Sequence, residues 1–141
     1  MNVQTHDKEL EMFKTQISLD KEIAYRISVF KAQILTDYDG KIDDFCIYYE
    51  DMFGAVLLDI IHLKSEYRKL GLGTEILKKT IEFAANLGVD LVLEPDDCYG
   101  TPINVLHRFY AKLGGTKCKL NYPLYGDKNT KTMFKWTAKT A

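Results

Sequence analysis

The chain has 141 residues and a mass of 16.2 kDa, a length that suits one domain over residues 1–141. Hydrophobic residues make up 46% and charged residues 28%, a balance that supports a packed core and excludes a disordered, collagen-like or coiled-coil chain. Nineteen Lys and Arg against twenty Asp and Glu leave a formal charge of -1, so no overall basic field recruits nucleic acid. The longest apolar run, Ala55 to Leu63, is broken by Asp59 and His62 and is too short to cross a bilayer. The N-terminal MNVQTHDKELEMF carries acids where a secretory leader needs an apolar run. Cys46, Cys98 and Cys118 stand far apart and form no CxxC pair, which argues against a disulfide framework or a zinc site and favours a reducing compartment. A cytoplasmic protein with no metal and no membrane partner is the expectation.

In chain order, residues 6–16 form a short helix with Leu10 and Phe13 on one side. Ile23 to Leu35, rich in Ile, Tyr, Val and Phe, reads as a long strand. Asp37-Tyr-Asp-Gly40 is a turn, Phe45 to Tyr49 a second strand, and Ala55 to Leu63 a third, which together predict an antiparallel meander. The period then changes. Leu72, Ile76, Leu77, Ile81, Ala84 and Ala85 mark a helix over 72–87, ended by Gly88, and Val89 to Leu93 is a compact apolar strand. Thr101 and Pro102 suit the cap and first position of a helix carrying Leu106, Phe109 and Leu113, which stops at Gly114-Gly115. Strands near Thr116–Leu120 and Thr132–Trp136 follow. The predicted architecture is a mixed α/β layer with a right-handed parallel strand–helix–strand unit at its centre.

The most informative stretch runs from Leu63 through Arg68, Lys69, Leu70, Gly71, Leu72 and Gly73 to Thr74. A strand ends, basic residues follow, and two glycines open an amphipathic helix. Such a corner can cradle an anion: glycine lets the backbone approach a ligand, and the first helical turn offers N–H groups at the positive end of the dipole. The P-loop pattern GxxxxGK[ST] is absent, and the GxGxxG dinucleotide fingerprint fails because Ile76 stands where its third glycine belongs. On the glycines alone, a tight turn with no ligand explains the sequence equally well.

Arg68-x-x-Gly71-x-Gly73, after a strand and opening a helix, resembles the acetyl-CoA-binding signature of the GNAT superfamily of N-acetyltransferases. Arg108-Phe109-Tyr110-Ala111-Lys112-Leu113-Gly114 resembles that superfamily's second motif, and the likeness covers about residues 42–136 by element order. The resemblance implies a GNAT-like fold: a mostly antiparallel sheet with one splayed parallel pair, flanking helices, and a shortened N-terminal part. It implies transfer of an acetyl group from acetyl-CoA to an amine acceptor, by direct attack in a ternary complex. By similarity, the main chain of Ile61, His62 and Leu63 holds the pantetheine arm, and the amides from Lys69 to Thr74 hold the pyrophosphate. Arg68 and Lys69 add charge. Tyr110 matches the tyrosine that protonates the leaving thiolate, a role its neutral phenol suits. His107, one turn earlier, is expected to be solvated.

An amine acceptor must lose a proton to attack, and the candidates for that base are Asp59 first, Glu94 second and His62 third. Strand alternation predicts that Asp59 and His62 point to opposite faces. Asp59 in an apolar strand is an anomaly unless it faces water or meets a base. The sequence also departs from the family pattern. Ile103 stands where an asparagine is common, with the cofactor candidate Asn104 one step later, and Gly115 replaces an aromatic. A partner subunit, as in a homodimer, or the segment 121–129 is the candidate to complete the acceptor pocket. A catalytically inactive CoA-binding or protein-interaction module on the same fold is the competing reading.

Overall fold

No glycine or proline interrupts residues 3–37, and this stretch folds as a single 35-residue helix, α1 (Val3–Asp37). The computed structural model describes residues 3–68, 70–95, 101–124 and 127–138, with side chains for all of these except 3–5 and 120–131. The short helix expected over 6–16 is the start of α1, and the strand expected over Ile23–Leu35 is its C-terminal half. The buried positions explain the correction. Ile27 and Ile34 are buried and Ile23 and Phe30 pack on the core, a spacing of three and four, whereas Tyr25, Val29 and Leu35 are exposed. Side-chain pairs four apart reinforce the helix surface: Gln16 with Asp20, Arg26 with Glu22, and Gln33 with Asp37.

Two strands, β1 (Ile42–Glu50) and β2 (Ala55–Leu63), then form an antiparallel hairpin, where a three-stranded meander was expected. A short 3₁₀ turn over Ser65–Tyr67 leads to α2 (Leu72–Leu87), whose bounds match the predicted helix and whose cap, Gly88, has φ 78°. After β3 (Asp90–Leu93) comes α3 (Ile103–Lys112), and β4 (Thr116–Leu124) pairs with β5 (Asp127–Trp136). The residue preceding α3 is Pro102, with no side-chain cap bond, so Thr101 does not cap it. Residues 121–124 and 127–129, in the segment offered to complete the acceptor pocket, are strand backbone of β4 and β5. Cys46 and Cys118 are free thiols, and Cys98 lies outside the described residues.

The sheet order is β1-β2-β3-β5-β4, with β2 and β3 parallel and the other neighbours antiparallel. Alternation divides it into two faces. Phe45, Ile47, Val56, Leu58, Leu91, Leu93, Phe134 and Trp136 join one core with residues of α1, α2 and α3. Phe30 of α1 stacks on Phe83 of α2 with centroids 4.2 Å apart and meets Phe45 edge-on, which locks the two helices over β1. The opposite face carries a smaller cluster of Ala55, Leu57, Val92 and Met133.

Trp136 fixes the end of α3. Its indole Nε1–H donates to the Leu113 carbonyl at 3.1 Å, and its ring lies over Gly114-Gly115. A Cβ at Gly115 would sit 2.8 Å from Trp136 Cζ2 and 3.1 Å from the Tyr110 carbonyl oxygen. The glycine that replaces the family's aromatic is thus demanded by the tryptophan. Gly115→Ala should cost about 1–3 kcal/mol through overpacking, read as a lower urea midpoint at unchanged m-value.

Candidate active site

The ladder between β2 and β3 runs from Ala55–Asp90 to Leu58–Leu93 and stops there. On its other side β2 stays paired with β1 as far as Leu63. Residues 59–63 therefore keep one neighbouring strand and lose the other, and the two parallel strands part. Asp59 and Glu94 are the first residues beyond the last pair. The gap between the strands opens into a cleft of about 440 Å³. Leu58, Leu77, Leu93, Leu106 and Phe109 contribute apolar walls, and Gly71, Gly73, Thr74 and Tyr110 line it from the helices.

Asp59 has no partner in the β1 register, because Cys46 pairs with Ile60 and Ile47 with Leu58. This is a β-bulge, and it shifts the phase of the strand. Val56 and Leu58 before it face the helix-covered core, and so do Ile61 and Leu63 after it. Asp59 and His62 consequently share the opposite face, which corrects the expectation that they point apart. Asp59 is exposed, so its place in an apolar strand carries no burial cost. It faces Cys46, whose thiol is pushed up first by burial and then by the negative charge of Asp59; Lys31 opposes this, and Asp44 and a hydrogen bond to the Asp59 carboxylate add smaller upward effects.

At the other end of β2, Arg68 Nε donates to the Leu63 carbonyl at 3.0 Å, and its Nη2 lies 2.6 Å from His62 Nε2. Gly71 precedes α2 with φ 79°, a left-handed conformation that glycine adopts without strain, and no side chain caps the helix. The first helical bond runs from the Glu75 N–H to the Gly71 carbonyl at 3.0 Å. Helix geometry leaves the Leu72, Gly73 and Thr74 amides, which precede it, without intrahelical acceptors. A Cβ on Gly73 would meet Leu63 Cδ1 at 3.8 Å, an ordinary van der Waals contact.

Tyr110 lies on α3, half-buried, with ring centroids 5.5 Å from Phe109, 5.5 Å from Phe134 and 6.3 Å from Trp136. These contacts fix the ring beside the cleft. His107 packs on Phe134 with centroids 5.3 Å apart and is half-buried, where a solvated ring was expected.

Of the sequence candidates, Asp59, Ile61, His62, Leu63, Arg68, Gly71, Gly73, Thr74, Glu94 and Tyr110 line the one cleft. Leu72 instead packs on the core, Leu70 is 66% exposed, and Asn104 is exposed and absent from the lining. Lys69 lies outside the described residues. Thr101 and Ile60, not foreseen as site residues, line the cleft as well. Among the described residues, no three His, Cys, Asp or Glu side chains gather as a metal site, and no helix is long and apolar enough to cross a membrane.

A parallel strand pair that parts over a glycine-led helix start is the arrangement that the resemblance to the acetyltransferases leads one to expect. Residues 6–114 match the acetyltransferase (GNAT) family, and the chain belongs to that family. No curated protein matches the sequence. Among solved structures it is similar to the anti-CRISPR protein AcrVA5, at 18% identity and TM-score 0.46, over 66% of this chain and 87% of that one. It is also similar to nourseothricin acetyltransferase, at 22% identity and TM-score 0.46, over 67% of this chain and 56% of that one. Naa50 of Arabidopsis thaliana, solved with a bisubstrate analogue, is similar at 14% identity and TM-score 0.44, over 68% of this chain and 63% of that one. The chain thus spans less than two thirds of the latter two.

Proposed function

We propose that this chain is an acetyl-CoA-dependent N-acetyltransferase that acetylates a primary amine by direct attack in a ternary complex. One observation carries the reading: the parted strands, the uncapped start of α2 and Tyr110 all line a single cleft. The amides from Lys69 to Thr74 receive the pyrophosphate, where the N–H groups of Leu72, Gly73 and Thr74, which lack intrahelical acceptors, and the helix dipole favour an anion. The backbone of Ile61, His62 and Leu63, beyond the end of the β2–β3 ladder, hydrogen-bonds the pantetheine arm and directs the thioester toward Asp59 and Glu94.

An ammonium acceptor gives up a proton to Asp59, with Glu94 as the second candidate, and the amine attacks the thioester carbonyl. A backbone N–H of the strand holds the oxyanion of the tetrahedral intermediate. The C–S bond then breaks, the amide remains, and the departing thiolate takes a proton from the Tyr110 phenol. The nitrogen sheds a second proton as the intermediate collapses, so of the two protons the ammonium loses, one makes up for that given to the thiol and the other is released to solvent.

Calorimetric titration with acetyl-CoA, followed by a thiol-release assay across small amines and peptides, tests the reading. Binding with transfer supports it. Binding without any transfer identifies a CoA-binding module, and absence of binding leaves the glycine turn as architecture. Asp59→Asn should lower kcat about a hundredfold at neutral pH with acetyl-CoA affinity retained. The deficit should narrow as pH rises, because the acceptor then loses its proton to solvent.

A further inference from the structure

We propose that Arg68 is a positioning residue, whose guanidinium ties the end of β2 to the glycine turn and fixes the tautomer of His62. Its two bonds, to the Leu63 carbonyl and to His62 Nε2, both reach back across the turn that separates β2 from α2. Arginine has donors and no acceptor, and it does not deprotonate in proteins. The imidazole Nε2 must therefore be the acceptor, which leaves the His62 proton on Nδ1. The intervening chain is held as well. Lys64 N–H donates to the Lys41 carbonyl at 3.0 Å, Tyr67 N–H to Lys64 at 2.9 Å, and Arg68 N–H to Ser65 at 3.3 Å. Gly71 follows three residues after this brace, so the brace sets where the first amides of α2 point.

Two consequences follow for the site. Arg68 serves the cofactor by aiming backbone amides, and a lysine, which keeps the charge, does not replace it, because it lacks the planar fork that spans both acceptors. With its Nε2 lone pair engaged by a cation, His62 is withdrawn from the set of candidate bases, and Asp59 and Glu94 remain.

The effect on cofactor binding rests on the acetyltransferase reading; the tautomer does not. The test combines ¹⁵N-histidine spectra of the whole chain at neutral pH with acetyl-CoA titration of Arg68→Lys, His62→Leu and His62→Gln. In the wild-type protein His62 should carry its proton on Nδ1, and Arg68→Lys should move it toward the Nε2–H form. Arg68→Lys and His62→Leu should each weaken acetyl-CoA binding about tenfold or more, the loss of one charge-assisted bond. His62→Gln, whose side-chain oxygen can accept the same bond, should recover most of that affinity. A wild-type His62 protonated on Nε2 would overturn the proposal. So would a spectrum unchanged in Arg68→Lys while affinity falls, since Arg68 would then act as a phosphate ligand. A changed spectrum with affinity intact would equally remove the positioning role. If the wild-type protein binds no acetyl-CoA, the proposed function fails, and the spectra alone decide whether the Arg68–His62 pair exists.

Discussion

Gly71→Glu is expected to abolish acetyl-CoA binding, with a dissociation constant raised at least about a hundredfold, while the protein remains folded. Two effects act together. The side chain enters the approach to the first turn of α2, and its carboxylate opposes the pyrophosphate where the helix dipole would have favoured it. The space around the position is open, since a Cβ there meets nothing within 4 Å, so packing does not suffer. The φ of 79° does impose a backbone cost of about 1–2 kcal/mol on any residue with a Cβ. Gly71→Ala separates the two, because it carries that same strain without the charge or bulk. Calorimetry should find Gly71→Ala weakened slightly and Gly71→Glu silent, at similar thermal midpoints. Equal affinity in Gly71→Glu and wild type would place the pyrophosphate elsewhere and remove the cradle.

What the sequence made legible was the part governed by local pattern. The stripe from Leu72 to Ala85 and the glycine after it set the bounds of α2, because a helix one face deep in a core repeats at 3.6 residues. The strand-end, glycine-turn, helix-start corner was legible for the same reason. The C-terminal half of α1 was misread because Ile23, Tyr25, Ile27 and Val29 recur at every second residue and are strand formers by composition. Packing chose the other period present in the same residues, the one joining Ile23, Ile27, Phe30 and Ile34. The bulge at Asp59 could not be read from one strand, since it exists only in the register between two. It reassigns the side of every residue after it, which is why the placement of His62 relative to Asp59 came out reversed. Gly115 looked like a lapse in a motif until Trp136, twenty-one positions later, supplied the ring that excludes a Cβ. The cleft itself follows from where the β2–β3 ladder stops, and no residue type announces that point.

Tyr110→Phe should lower kcat about a hundredfold or more and leave acetyl-CoA affinity near the wild-type value. The substitution removes only the hydroxyl. The ring keeps its contacts with Phe109, Phe134 and Trp136, so α3 and the cleft wall stay where they are. Binding and chemistry therefore separate cleanly in this variant, which a purely structural tyrosine would not produce. The pH profile supplies the mechanism. A thiol with a reference pKa of about 8.5 leaves as a poor anion at neutral pH, where proton donation by a phenol of pKa about 10 stabilises it. Above the thiol's own pKa the free thiolate is the stable product and the donor contributes less. The ratio of wild-type to mutant kcat should accordingly shrink as pH rises through the alkaline range. A constant ratio would mean that the hydroxyl positions the thioester without donating a proton, and unchanged turnover would assign the proton to water.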